Sequence, residues 1–345
     1  MPYSLYLPQK GKPDLQGKRI LAADIGGTKT SLGWFEQHGD TLALMRETTV
    51  SSKAHPTFEE IVTNFLADKP DTPHILSIGV AGPVLDNQVK LTNLSWELEG
   101  SRLERTLGIG RTVLINDLEA TAYGLTGLAP EDIAPVFDDG GHTRGNMAIL
   151  APGTGLGEAG LFWDGEAYRP FATEGGHSDF APRTALDCEL QAYLSEENPI
   201  VCWEHVVSGP GIYRIYRFLR DVKGHKEPAW LTENFRNSDD PAAVISHTAI
   251  RELDATCTKT MEMFVGYMAR EATSLVLKHK ATGGLLLGGG IPPRIYPLLR
   301  KELFREQFIQ NSHMSELLEE VSINVILNSK AALIGAAYFG AYGQK

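Results

Sequence analysis

Six residues in the middle of the chain carry the side chains that a polyhydroxylated ligand needs. Asn93 and Asn116 supply amides, Asp117, Glu174 and Glu204 carboxylates, and His177 an imidazole. A sugar hydroxyl donates and accepts at once, so a mixed set of this kind can satisfy it on both counts. A metal ion is a poorer match, because His177 has no partner at ligand-pair spacing among the scattered carboxylates. Each residue alone admits a plainer use. Asp117 ends an apolar run and opens a helical pattern, where an Asp is commonly an N-cap. Its functional use would be that of a carboxylate at the carboxyl end of a central strand, where ligands of open α/β sheets collect. Read singly, His177 is a satisfied structural histidine and Glu204 a solvated charge.

Three glycine-rich turns offer a second kind of chemistry. The first, Ala23-Asp24-Ile25-Gly26-Gly27-Thr28, follows the apolar pair Ile20-Leu21 and leads into another strand pattern from Ser31. Adjacent glycines let a phosphate lie against backbone N–H groups. An Asp beside such a site cannot attract the anion, and its natural task is to hold Mg2+, directly or through water. The plain reading is a β-hairpin with a glycine turn. The second turn, Gly153-Thr154-Gly155-Leu156-Gly157, again lies between two strand patterns. From Gly155 to Gly160 it also fits G-x-G-x-x-G, with Glu174 nineteen residues beyond Gly155. That dinucleotide fingerprint must open a helix, whereas Gly160-Leu161-Phe162-Trp163 reads as a strand, so a second phosphate hairpin fits better. The third, Gly288-Gly289-Gly290, follows Leu285-Leu286-Leu287 and gives a flat ring such as adenosine access to the backbone; alone, it reads as a tight strand-to-helix turn. No G-x-x-x-x-G-K-[ST] segment occurs.

The elements that must position these residues follow from periodicity. Strands are expected at 19–25, 31–36 and 42–48, then a helix opened by a Thr57–Glu60 capping box with Phe58, Ile61, Val62, Phe65 and Leu66 on one face. Pro70 and Pro73 precede a strand at 74–81, which a turn at Asp86-Asn87 folds back toward Lys90-Leu91. A strand at 112–116 leads into a helix near Asp117, giving a β-β-β-α-β-α order. A second unit restarts near Asn146 with a strand at 147–150, the glycine turn and a return strand at 160–163. Helices are expected at 183–196, 209–221 and 241–279, the last bent near Ile250-Arg251. A strand at 284–288, a helix from Pro292, a strand at 321–327 and an Ala-rich helix at 329–341 complete the chain. The strand–glycine–strand unit thus occurs twice, a weak duplication whose spacing is far from a solenoid period. The first seventeen residues read as a loose arm.

Composition narrows the classes. The chain has 345 residues, 42% of them hydrophobic, enough for a substantial core in two domains or lobes. A net charge of −11 argues against nucleic-acid binding, which needs clustered Lys and Arg. The three cysteines, Cys188, Cys202 and Cys257, are far apart and form neither a disulfide framework nor a Cys-rich zinc site. Neither a signal-peptide core nor a membrane-length apolar run occurs, so a cytoplasmic protein without a membrane partner is expected.

Taken in order, the three glycine turns resemble the two phosphate loops and the adenosine loop of the actin-like ATPase and sugar-kinase superfamily. Within it, Thr92-Asn93, Ile115-Asn116-Asp117, Glu174-Gly175-Gly176-His177-Ser178-Asp179-Phe180-Ala181-Pro182 and Ser208-Gly209-Pro210-Gly211 resemble the bacterial ATP-dependent glucokinase family. The resemblance spans Arg19 to Gly343. It implies a two-lobed actin-like ATPase (ribonuclease H-like) α/β fold, with a mixed sheet and flanking helices in each lobe. The expected division is an arm at 1–18, a small lobe at 19–125 plus 329–345, and a large lobe at 126–328, with a hexose bound in the cleft and the lobes closing on it. It further implies ATP on Ala23, Asp24, Ile25, Gly26, Gly27, Thr28, Gly153, Thr154, Gly155, Gly288, Gly289 and Gly290, with Mg2+ near Asp24 through water. Asp117 is then the general base for the sugar 6-hydroxyl, and Asn93, Asn116, Asp117, Glu174, His177 and Glu204 bind glucose. Related kinases of the repressor-linked group carry a Cys-rich zinc motif beside the Glu-x-x-His, which Ser178-Asp179-Phe180 does not provide. A homodimer is compatible with the resemblance. The rivals are a hexose kinase of other or broader specificity (mannose, glucosamine) and a non-catalytic sugar-sensing ATPase-fold protein. A repressor would need a DNA-binding segment ahead of the first strand, where eighteen residues are too few.

Overall fold

The computed structural model describes residues 3–11, 17–68, 71–91, 94–137 and 144–343. They fall into two compact units, one of Met1–Asp132, Leu161–Ala172 and Asn328–Lys345, the other of Ile133–Gly160 and Thr173–Leu327.

The first unit is built on a sheet of β1 (Arg19–Ile25), β2 (Lys29–His38), β3 (Thr41–Ser51), β4 (Ile75–Val80) and β7 (Arg111–Asn116), in the order β3-β2-β1-β4-β7. β1 pairs antiparallel with β2 and parallel with β4, which pairs parallel with β7. Successive side chains of a strand point to opposite faces. Leu21, Ala23 and Ile25 therefore join one core with Phe58, Ile61, Val62 and Phe65 of α1 (Phe58–Leu66) and Leu103 of α2 (Gly100–Leu107). Ile20 and Ala22 join the other, with Val113, Ile115, Ala120 and Tyr123 and the residues of a C-terminal helix. These last come from α3 (Asp117–Gly124) and from α12 (Ala331–Tyr342), the end of the chain returning to its first sheet.

Between β4 and α2 the structure departs from expectation. Asp86 and Asn87 do make a tight turn, at φ of 48° and 60°. The chain does not fold back along β4, however; β5 (Gln88–Lys90) pairs with β6 (Glu97–Glu99) in a small separate sheet. β6 and α2 are too short to show a period. Half of the expected capping box forms: Thr57 accepts the Glu60 N–H, while the Glu60 carboxylate turns to His55 Nδ1 at 3.2 Å.

The second sheet contains β8 (Ile133–Phe137), β9 (Met147–Pro152), β10 (Leu156–Trp163), β11 (Tyr168–Thr173), β12 (Gly284–Leu287) and β13 (Ile323–Ile326), in the order β11-β10-β9-β12-β13-β8. With β8 set aside, this is the order of the first sheet again, and β12 lies parallel to both neighbours as β4 does. The helices of the second unit include α4 (Ala185–Ser195), α5 (Gly209–Asp221), α6 (Ala229–Arg236), α7 (Pro241–Ile250) and α8 (Ala255–His279). The break between α7 and α8 passes through Glu252 at φ 55°. The single helix expected from Pro292 is instead α9 (Tyr296–Leu299), α10 (Glu302–Ile309) and α11 (Ser315–Glu319).

The described part of the arm is not loose. The Ser4 carbonyl accepts the Tyr168 N–H at 2.7 Å, the Tyr6 N–H donates to the Tyr168 carbonyl at 2.9 Å, and Arg169 lies 3.6 Å above the Tyr6 ring. Leu7 is buried, and the Gln9 N–H bonds to the Tyr342 carbonyl. The arm thereby covers the edge of β11, whose backbone groups would otherwise lie unpaired.

Candidate active site

In the first unit the carboxyl ends of three adjacent parallel strands, β1, β4 and β7, bring together the acidic candidates. Asp24 pairs with Ser31 across the hairpin and with Gly79 of β4. Alternation sets it on the same face as Ile20 and Ala22, the face that α3 covers. The glycine turn closes through the Gly26 N–H to the Lys29 carbonyl at 2.9 Å, leaving Thr28 and Lys29 exposed. Ser52 braces it from behind: its hydroxyl donates to the Gly26 carbonyl and meets the buried Thr30 hydroxyl at 3.0 Å, and its N–H bonds to the Thr28 carbonyl. Ser52 is a site residue that sequence reasoning missed, for it lies beyond the turn and only tertiary folding returns it.

The helix cap at the end of β7 is Asn116, not Asp117. The Asn116 side-chain oxygen accepts the Leu118 N–H at 2.9 Å and the Glu119 N–H at 3.3 Å, and its amide donates to the Gly82 carbonyl. Asp117 is the first helical residue, half-buried, with Oδ1 3.0 Å from the Leu118 nitrogen. The cap is thus built on Asn116, with the Asp117 carboxylate in the first turn behind it. Burial pushes the Asp24 carboxyl up to about 7, and the charge of Asp117 adds to the rise. Two carboxyls this close would together carry a charge that a hard divalent cation neutralises, so the residues present are compatible with Mg2+ near Asp24 through water.

In the second unit three loops converge at the ends of β9 and β12. The β9–β10 turn closes from the Gly153 N–H to the Gly155 carbonyl at 2.8 Å. The Gly153 carbonyl accepts the Gly209 N–H at 2.8 Å, and the Pro152 carbonyl accepts that of Ile291. Gly289 has φ +77°, and a Cβ there would stand 2.6 Å from the Pro152 oxygen, so the third glycine turn is pressed onto the second. α5 begins at this point, capped by Ser208, whose side chain accepts the Gly211 N–H at 3.1 Å. A helix N-terminus beside a glycine hairpin suits an anion.

Glu204, Glu174 and His177 gather beside these loops. Glu204 Oε2 accepts the Leu156 N–H at 2.9 Å, and its carbonyl accepts the Ser208 hydroxyl. Glu174 precedes a single helical turn, Gly175–His177, and its Oε2 lies 4.0 Å from His177 Nε2, both side chains more than half exposed. That turn is tied to the Glu204 turn by pairing between 178–180 and 201–203: the Trp203 N–H to the Ser178 carbonyl, the Phe180 N–H to that of Val201, and a bridge from Asp179 to Cys202. Asn93 lies outside the described residues. Among the described residues, no group of three or more His, Cys, Asp and Glu side chains is arranged to hold a metal by itself. Nor is any described helix long and apolar enough to cross a membrane.

Comparison with known proteins gives a consistent picture. The glucokinase from Trichormus variabilis is 38% identical over 333 residues, covering 92% of this chain and 97% of its own. A crystal structure of a glucokinase from an Antarctic psychrotroph superposes with a TM-score of 0.78 at 30% identity, covering 94% of this chain and 99% of that one. A glucokinase from Balamuthia mandrillaris in complex with glucose shares the fold, with a TM-score of 0.77 at 23% identity and coverage of 97% and 96%. The fold is the actin-like ATPase fold, and the repeated sheet order is its internal duplication. Since the family model for glucokinase matches residues 21–342, almost the whole of both units, the chain belongs to the glucokinase family.

Proposed function

We propose that this protein transfers the γ-phosphoryl group of ATP to the 6-hydroxyl of glucose, giving glucose 6-phosphate and ADP. The observation that carries this reading is the meeting of two carboxylates at the carboxyl ends of adjacent parallel strands, where Asp117 stands close enough to Asp24 for its charge to act on it while Asn116 caps α3. Asp117 accepts the proton of the 6-hydroxyl as its oxygen bonds to the γ-phosphorus. The bond from that phosphorus to the β,γ-bridging oxygen breaks, and its electron pair leaves on ADP. Proton removal comes late in so loose a transition state, so position counts as much as basicity. Asn116, Asp117, Glu174, His177 and Glu204 bind the sugar hydroxyls, with Asn93 assigned alongside them. Gly26, Gly27 and Thr28, with Ala23 and Ile25 on the strand beneath, and Gly153, Thr154 and Gly155 hold phosphates. Gly288, Gly289 and Gly290 take the adenosine. Mg2+, bound near Asp24 through water, would neutralise charge on the β- and γ-phosphates. The protein acts in the cytoplasm.

The test is a coupled phosphorylation assay across hexoses and donors. Glucose with ATP should give the highest kcat/KM. Equal or better values for mannose, fructose or glucosamine would overturn the glucose assignment and leave a broader hexose kinase.

A further inference from the structure

Glu158 on β10 and Glu271 in the middle of α8 are 3% and 0% exposed, and neither belongs to the proposed substrate sites. They face one another closely enough that each acts on the other. As carboxylates both are acceptors only, and among the described residues Glu158 Oε1 and both Glu271 oxygens then find no hydrogen-bond partner. Lys278 Nζ stops 4.0 Å from Glu271 Oε1 on a side chain that is 59% exposed, too solvated to neutralise two buried charges. One proton held between the carboxyls removes a charge and converts an orphaned acceptor into a donor. Burial pushes both groups well above the usual carboxylate range. Lys278 opposes the rise at each, and Glu158 adds to it at Glu271.

What the pair touches decides its role. Thr173 Oγ1 donates to the Glu158 carbonyl at 3.0 Å and accepts the Gly175 N–H at 3.3 Å. The backbone of Gly175 passes so close to Glu158 Oε2 that any Cβ there would collide with it. Gly175 opens the turn between Glu174 and His177. Glu158 thus lies directly behind two of the proposed sugar ligands, and two residues before it Leu156 holds the third, Glu204.

We propose that Glu158 and Glu271 form a proton-sharing positioning pair that seats the Glu174–His177 turn, so that sugar affinity depends on the pair keeping its proton. The inference rests on the assignment of Glu174 and His177 to the sugar. The groups facing the pair are Thr173 and Gly175 from β11 and the turn after it, and Ser274 and Lys278 from α8. Loss of the proton sets two uncompensated charges together in the core, and the carboxylate against Gly175 displaces the turn it supports.

Glu158→Gln and Glu271→Gln keep the shape and hydrogen bonding and cannot titrate. Lys278→Met, on the surface, removes the cation that favours ionisation. Glucose binding is followed by tryptophan fluorescence, and KM and kcat by the coupled assay, from neutral to alkaline pH. In the wild type, glucose KM and Kd should rise about tenfold toward alkaline pH while the KM for ATP stays level. The Gln variants should flatten that rise, and Lys278→Met should move it to higher pH. Superimposable profiles for the wild type and Lys278→Met overturn the inference even if neither Gln variant folds. Equal changes in the KM values for glucose and ATP overturn it as well. A wild type that binds no glucose at neutral pH overturns the sugar assignment and this inference together, whereas normal binding with unmoved profiles overturns the inference alone.

Discussion

Asn116 takes the capping task that the sequence offered to Asp117. Because Asn116 accepts the Leu118 and Glu119 N–H groups, Asp117 can be changed without uncapping α3. Asp117→Asn should leave the melting temperature nearly unchanged and lower kcat by about 10²–10⁴, the usual loss with a general base. A folded variant that keeps most of its turnover would remove Asp117 from the mechanism. Asp24→Ala separates the nucleotide side from the sugar side. It should weaken Mg2+-dependent turnover while calorimetry shows glucose binding little changed; lost glucose affinity with normal Mg2+–ATP handling would refute that placement. That these acids stand at the carboxyl ends of strands was legible, because an apolar run precedes each. Which residue caps α3 was not, because a cap is defined by which N–H groups a side-chain oxygen reaches.

At the scale of elements, loops and helices fix where those residues stand. Gly289 holds φ +77° against the Pro152 carbonyl, a conformation that costs an L-residue about 1–2 kcal/mol before the collision is counted. Gly289→Ala should raise the KM for ATP about tenfold and leave glucose binding intact, as separate titrations would show. α8 secures the segment after the Glu174–His177 turn through Arg270, which bonds to Asp187 at 2.8 Å and to the Ala181 carbonyl, while Tyr267 donates to Asp187. Burial works against ionisation of Asp187. Bonds from the Arg183 N–H and from Arg270 outweigh it and hold the carboxyl below its ordinary value. Arg270→Met strands that carboxylate and should cost about 3–5 kcal/mol in urea unfolding. A loss below about 1 kcal/mol would show that the pair is not integral to the fold. Strongly patterned elements such as α1, β4 and α5 could be read from spacing. The short ones, β6, α2, β8 and α9, carry too few residues for a period and owe their form to what packs on them.

For the molecule as a whole, the buried acids set a pH dependence of sign opposite to that of a surface carboxylate. Glu158 and Glu271 titrate above their unfolded values, so the native state keeps protons that the unfolded chain gives up at about 4.3. Their contribution is complete below that value and is lost as pH rises through the raised range, at about 1.4 kcal/mol per pH unit for each retained proton. Glu271→Gln should therefore show a shallower fall in melting temperature from acid to alkaline pH than the wild type; parallel curves would count against it. The sequence by itself determined the kinds of chemistry available and the twofold use of a strand–glycine–strand unit, since local periodicity and turn chemistry act within a few residues. Tertiary structure alone decided that β11 and the N-terminal arm share an edge and that Ser52 braces the first glycine turn. It also decided that two acids more than a hundred positions apart meet in the core (158 and 271). Those arrangements depend on which surfaces are buried against each other, and burial is a property of the packed chain.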